Sequence, residues 1–190
     1  MKRWYLMRHG QTDYNHRRCF YGSHDVSINE QGQKDAKQLA LLMQEHPVDV
    51  IYTSSLKRTK ETARLAFPER KAQPIADFDE RGFGQWEGLT ADEIEAAFPE
   101  VWQAWLEAPF EVTPPEAEVF ADFQTRVWTA TDRLLDSTDE SIALVSHLGV
   151  LRLIYQHLVD REAVFWNIDV PQGRVLLLEE RDQTWQATLL

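Results

Sequence analysis

The chain has 190 residues, 43% of them hydrophobic, and a formal net charge of −11. This length and composition indicate a folded globular protein with one domain over residues 1–190. The negative charge argues against nucleic acid and anionic membrane surfaces as partners, and no apolar run approaches the roughly 18 residues of a membrane span. The first apolar run, Trp4 to Met7, is shorter than the roughly 7 residues that an export signal needs, so we expect a cytoplasmic location.

The first 20 residues are basic although the whole chain is acidic. They contain five lysine or arginine residues against a single acidic residue, Asp13. A small anionic ligand would account for this basic segment. Cys19 is the only cysteine, which excludes an internal disulfide. It lies in no catalytic motif, and we interpret it as structural or incidental.

Short apolar runs alternate with amphipathic stretches along the chain, as is typical of an α/β protein. Strands are predicted at residues 4–7, 48–52, 141–146 and 175–178, the last pairing with 185–190. Helices are predicted from the Asn29 cap to Pro47, from Ser54 and Ser55 to Pro68, and over about 92–98, 120–134 and 148–158. We therefore predict an α/β three-layer sandwich, with a mostly parallel central sheet flanked by helices.

Histidines follow two of the predicted strands at equivalent positions. His9 comes after the first strand and His147 after the strand 141–146, while Arg58 lies in the first turn of the helix behind a third strand. One such residue alone is more often a cap or a solvated side chain. Because open sheets bind ligands beyond the carboxyl ends of their strands, we expect these residues to meet there, together with Arg8. Such a concentration of cations favours a phosphate dianion as the ligand.

Arg8-His9-Gly10-Gln11-Thr12, with Asn15 after it, resembles the signature of the histidine phosphatase superfamily. Further matching blocks occur in the family's order over almost the whole chain: Ser54-Ser55-Leu56-Lys57-Arg58-Thr59, Glu80 ahead of Phe83-Gly84-Gln85-Trp86-Glu87-Gly88, and Ser146-His147-Leu148-Gly149-Val150. The resemblance implies a phosphoglycerate-mutase-like fold. Within the superfamily, residues 21–25 and 29–32 look most like the α-ribazole phosphatase branch of cobalamin synthesis.

The resemblance implies a chemical role for each matched residue. His9 would attack phosphorus as a neutral imidazole whose other ring nitrogen donates a hydrogen bond. Glu80 would first protonate the leaving group and then activate water, although only its position before Phe83 distinguishes it from neighbouring acidic residues. The residues expected around the phosphoryl group are Arg8, Arg58, a protonated His147 and the neutral donor Asn15. Tyr21, Gly22 and Leu148 are expected to bind the substrate.

We predict no metal and no cofactor. The six histidines show no HxH or HExxH spacing, and the phosphohistidine route does not need a metal to activate water. The chain is expected to be a metal-independent phosphomonoester phosphatase that acts on a small phosphorylated metabolite, either α-ribazole phosphate or a broader range. The alternatives are a cofactor-dependent phosphoglycerate mutase, whose members are longer, and a non-catalytic phospholigand-binding protein. The oligomeric state is left open.

Three features of the sequence bear on substrate choice, and two of them allow two interpretations. Residues 115–120 replace a Pro-Gly-Gly-Glu-Ser-like loop of the family. They lack both glycines and the serine, while Glu118 holds the position of the glutamate, and they indicate altered or relaxed substrate choice. Trp102 and Trp105 either form a wall over the leaving group or complete a helix face against the core. Arg17 and Arg18 either hold a second anionic group or face solvent.

Overall fold

The computed structural model describes all 190 residues, and its six strands form one sheet in the order β3-β2-β4-β1-β5-β6. The strands are β1 (Arg3–Arg8), β2 (Val50–Thr53), β3 (Gln73–Pro74), β4 (Ser141–Ser146), β5 (Val175–Arg181) and β6 (Thr184–Leu189). Strands β1 to β4 pair in parallel with one another, whereas β5 is antiparallel to both β1 and β6. The sheet is therefore mixed but mostly parallel, as predicted.

Helices cover both faces of the sheet. They are α1 (Asp13–His16), α2 (Glu30–Met43), α3 (Lys57–Ala66), α4 (Ala91–Ala97), α5 (Pro99–Glu107), α6 (Phe120–Leu135) and α7 (Leu148–Leu158). Alternate residues of each central strand enter opposite cores, one beneath α6 and α7 and one beneath α2 and α3. This confirms the α/β sandwich. None of the helices is both long and apolar enough to cross a bilayer.

Several element boundaries differ from the predicted ones. The Asn29 cap is confirmed, since its side chain accepts a hydrogen bond from the Gly32 amide at 3.0 Å. Helix α3, however, begins at Lys57 and not at Ser54 or Ser55. The Ser54 hydroxyl bonds Thr59 within the core, and this alternative partner removes Ser54 from the cap position.

The region between β3 and α6 is more regular than its sequence indicates. Helices α4 and α5 lie there, the first with a Thr90 capping box and the second opening at Pro99. They bury a third, separate core of Trp86, Ile94, Trp102 and Trp105, which stands beside the end of the sheet. This aromatic unit forms one side of the cavity described next.

Candidate active site

A cavity of about 400 Å³ opens beyond the carboxyl ends of the parallel strands. Arg8 pairs with Ser146 at the ends of β1 and β4, so the next residues, His9 and His147, leave the sheet side by side. Their ring centroids are 5.3 Å apart. The predicted site residues that line the cavity are Arg8, His9, Asn15, Tyr21, Arg58, Glu80 and Leu148. His147 and Gly22 are not on its wall but contact Arg58.

His9 is held in one tautomer. Its ring is only 4% exposed, and Nδ1 lies 2.7 Å from the Gly10 carbonyl oxygen. A carbonyl accepts only, so Nδ1 carries the proton and Nε2 keeps a free lone pair. Burial, reinforced by the positive charges of Arg58 and Arg8, lowers the pKa of His9 well below its usual value. The imidazole is therefore neutral and available as a nucleophile.

Arg58 is a buried guanidinium fixed from several sides. Its Nη1 donates to the His24 carbonyl at 2.9 Å and its Nη2 to the Gly22 carbonyl at 2.7 Å. The guanidinium also lies 4.7 Å from the centre of the Tyr21 ring. Gly22 can supply this carbonyl only because it lacks a side chain, since a Cβ there would lie 1.6 Å from the Arg81 carbonyl oxygen. Tyr21 and Gly22, which were predicted to bind the substrate, thus orient Arg58.

His147 lies behind Arg58 and is fully buried. Its Nδ1 is 3.3 Å from Nε of Arg58, which can only donate, and its Nε2 is 2.8 Å from the Ser54 hydroxyl. This pattern places the proton on Nε2. Burial, followed by the charge of Arg58, lowers the pKa of His147 well below its usual value. Burial and this hydrogen-bond pattern favour a neutral His147, whereas a protonated ring was expected.

Arg8 and Asn15 offer donors that the protein does not use. Nε of Arg8 is buried and has no hydrogen-bond partner. The Asn15 side-chain oxygen accepts from the Thr12 amide and from Gln172, so its NH₂ group is left for a ligand. A buried donor without a partner is unfavourable, so Arg8 favours an acceptor-rich ligand, to which Asn15 can also donate.

Glu80 reaches the cavity from the loop before the turn Gly84–Trp86. Its carboxylate accepts from the main-chain amides of Arg81 at 3.0 Å and Gly149 at 3.1 Å. A Cβ at Gly149 would stand 2.4 Å from Oε1 of Glu80. The glycine after Leu148 therefore makes room for the carboxylate at the start of α7.

The structure also shows where the undecided residues lie. Trp105 lines the cavity whereas Trp102 packs in the third core, and Arg18 lines the cavity whereas Arg17 is exposed. In the loop 115–120, the Glu118 carboxylate is bound by Arg126 at 2.7 and 2.9 Å, so it does not make the cavity negative. The buried thiol of Cys19 lies on the cavity wall.

Sequence reasoning missed two arginines and most of the apolar wall. Arg81 and Arg152 line the cavity, as do seven further aromatic residues: Phe20, Phe83, Phe110, Phe120, Phe123, Phe165 and Trp166. Arg152 follows Leu148 by four residues on α7, and helical spacing could have found it. The aromatic residues come from five separate segments, so no local pattern brings them together. No group of three or more His, Cys, Asp or Glu side chains is placed to hold a metal ion.

Comparison with known proteins gives consistent matches over nearly the whole chain. The family model of the histidine phosphatase superfamily (branch 1) matches residues 4–190. Phosphoserine phosphatase 1 of Hydrogenobacter thermophilus is 31% identical over 183 residues, or 93% of this chain and 86% of its own. Adenosylcobalamin/alpha-ribazole phosphatase of Salmonella typhimurium is 31% identical over 177 residues, 91% and 87% of the two chains.

The fold agrees with these matches. The crystal structure of the alpha-ribazole phosphatase from Shigella flexneri superposes with a TM-score of 0.91 at 26% identity, covering 99% of this chain and 95% of the other. The structure of Bacillus stearothermophilus YhfR gives a TM-score of 0.88 at 27% identity, covering 100% and 96%. The chain belongs to branch 1 of the histidine phosphatase superfamily and is a phosphatase of that group.

Proposed function

We propose that the chain hydrolyses phosphate monoesters through a phosphohistidine formed on Nε2 of His9. The observation that supports this most directly is the state of His9 itself: a neutral imidazole with Nδ1 bonded to a carbonyl and Nε2 free. Arg8 and Arg58 lie on the same cavity wall and supply the positive charge that a dianionic phosphoryl group needs. These charges would hold the phosphorus atom of the substrate next to Nε2 of His9.

In the first step the Nε2 lone pair of His9 attacks phosphorus in line with the ester oxygen. The P–O ester bond breaks, and its electron pair leaves with the oxygen, which takes a proton from the Glu80 carboxyl group. The imidazole ring becomes positively charged, and its Nδ1 proton is already directed at the Gly10 carbonyl. The products of this step are an alcohol, a Glu80 carboxylate and phospho-His9.

In the second step water enters where the alcohol has left. The Glu80 carboxylate takes one proton from this water, the oxygen attacks phosphorus, and the P–N bond returns its electron pair to His9. Inorganic phosphate leaves, and both side chains recover their starting protonation states. Arg58 would stabilise the charge in both transition states, and His147 would hold the guanidinium in place by accepting a hydrogen bond from its Nε.

We propose that the substrate is a small phosphorylated metabolite. α-Ribazole phosphate and phosphoserine are the first candidates, because similar proteins carry those names. The cavity volume of about 400 Å³ suits a ligand of that size, and its aromatic wall favours an apolar or ring-bearing leaving group.

Turnover of p-nitrophenyl phosphate by His9→Ala and by the matched control His16→Ala tests the mechanism. His16 is an exposed histidine of α1. We expect His9→Ala to lose activity by at least about 10³-fold, while the control stays within about twofold. Acid-quenched wild-type enzyme should carry its phosphate on His9 when analysed by mass spectrometry. Full activity in His9→Ala, or an adduct on another residue, would show that the mechanism is wrong.

The same preparation separates hydrolysis from the two alternatives. With 3-phosphoglycerate and a bisphosphoglycerate primer, we expect release of inorganic phosphate and no 2-phosphoglycerate. Isomer interconversion without phosphate release would identify a mutase. Binding of phosphate or orthovanadate with no turnover of any phosphomonoester would identify a non-catalytic binding protein.

A further inference from the structure

A second cavity lies between α3 and the β2–β3 edge of the sheet. Its volume is about 350 Å³, and it shares no lining residue with the catalytic cavity. Four of the residues that line it are basic, Lys60, Arg64, Arg70 and Lys71, and none is acidic. Because the whole chain has a net charge of −11, this wall is a local excess of positive charge that needs an explanation.

The protein does not neutralise these basic side chains. None of the four takes part in an ion pair with a carboxylate. Arg70 is held only by two main-chain carbonyl oxygens, at 2.6 and 2.7 Å. Lys60 and Arg64 are four residues apart on α3, a spacing at which like charges repel each other and weaken a helix. An anion bound among the four side chains would remove this repulsion.

The floor of this cavity contains a buried hydroxyl without a partner. Ile51 and Thr53 of β2 both line the cavity, as expected for alternate residues that share one face of a strand. Thr53 is 1% exposed, and its Oγ1 forms no hydrogen bond. A buried hydroxyl without a partner is unfavourable, so an acceptor atom of a ligand would stabilise it. This feature distinguishes the cavity from an ordinary solvated group of lysines and arginines.

The rest of the wall is apolar. Phe67, Ala72 and Pro74 line it together with Ile51 and Ala63. Phe67 is half-buried and packs against the core beneath α2 and α3, so its ring is held in place beside the basic side chains. An apolar surface next to several cations suits a ligand that joins a ring to an anionic tail.

We propose that this cavity is a second, non-catalytic anion-binding site that binds a polyphosphate attached to a ring, the chemistry of a nucleoside triphosphate. Four cations favour a ligand with several negative charges over a single carboxylate or monoester. The phosphates would contact Lys60, Arg64, Arg70 and Lys71, and the ring would pack on Phe67. No histidine, cysteine or carboxylate lines the cavity, so the ligand is bound there without being cleaved. The site does not depend on the proposed phosphatase function.

Calorimetry with β,γ-methylene-ATP, which resists hydrolysis of its terminal phosphate, tests the proposal in a buffer without divalent metals. We expect the wild-type protein to bind this probe, and the double variant Lys60→Gln/Arg64→Gln to bind it at least about tenfold more weakly. The control is Lys34→Gln/Lys37→Gln, which removes the same two charges from exposed positions of α2 and should change the affinity by no more than about twofold. Inorganic triphosphate, which lacks the ring, should bind the wild-type protein at least about threefold more weakly than the probe.

The catalytic cavity is also rich in arginine, so the experiment must tell the two cavities apart. Arg8→Gln should keep the binding event that Lys60→Gln/Arg64→Gln loses. Photo-crosslinking of 8-azido-ATP to the wild-type protein locates the site without any variant, and the labelled peptide should contain residues from 67–74. Absence of binding, equal affinities in the two double variants, loss of all binding in Arg8→Gln, or a label confined to the catalytic cavity would each overturn the proposal. Equal affinities for inorganic triphosphate and the nucleotide would overturn the assignment of a ring-bearing ligand.

Discussion

Replacing Gly149 by alanine should displace the proposed acid, Glu80, and leave the other residues of the site in place. An alanine Cβ would stand 2.4 Å from Oε1 of Glu80, whereas ordinary contact begins at 3.4 Å. The carboxylate must therefore retreat by about 1 Å and give up the Gly149 amide bond. A displacement of this size at a catalytic group costs on the order of 10²-fold in rate.

The substitution should not damage the fold. The obstructing atom is the end of a flexible side chain, and alanine favours the first turn of α7 over glycine by up to about 1 kcal/mol. We expect an unchanged or slightly higher melting temperature together with an approximately 10²-fold lower kcat on glycerol 3-phosphate. Hydrolysis of p-nitrophenyl phosphate should fall by only a few-fold, because this phenolate leaves without needing a proton.

Glu80→Gln provides the matched comparison. If Gly149→Ala acts only by moving Glu80, the double variant should be no slower on the alkyl ester than Glu80→Gln alone. Additive losses in the double variant, equal losses on alkyl and aryl esters, or wild-type rates for Gly149→Ala on the alkyl ester would each refute the reasoning.

The remaining predictions concern stability. His9 and His147 both have lowered pKa values in the folded protein, so below pH 6.5 the unfolded chain binds more protons than the folded one. The free energy of unfolding should therefore fall as the pH decreases, by about 1.4 kcal/mol per pH unit for each histidine. Urea unfolding at pH 7 to 5 measures this slope, and His147→Asn should remove about half of it; an unchanged slope in that variant would contradict the assignment. Gly22→Ala should lower the free energy of unfolding by about 1–3 kcal/mol and weaken inhibition by orthovanadate. The reason is that the Arg81 main chain must move and Arg58 loses its carbonyl partner. Inhibition as strong as in the wild type, in a variant that folds, would contradict this prediction.

The sequence by itself determined the sheet and the reactive end of the cavity. Apolar runs and helix caps are local signals, so the strand ahead of His9, the Asn29 cap and the strand ahead of His147 can be read from neighbouring residues. Because the carboxyl ends of parallel strands lie at one edge of a sheet, the residues that follow these strands are expected close together. The register of β1 against β4 then places His9 beside His147. The position of the proposed phosphoryl site follows from three junctions in the chain.

Only the tertiary structure decided the surroundings of His147 and the end of the cavity where the leaving group is proposed to lie. Burial beside Arg58 makes His147 neutral, and burial is a property of the packed molecule that no residue spacing expresses. Likewise Arg81 contacts Phe83 from its own loop, and the Glu118 carbonyl and Phe120, which lie almost 40 residues later around the start of α6. Contacts between segments so distant in the chain depend on how the loops pack against α6, so they leave no periodic pattern in the sequence.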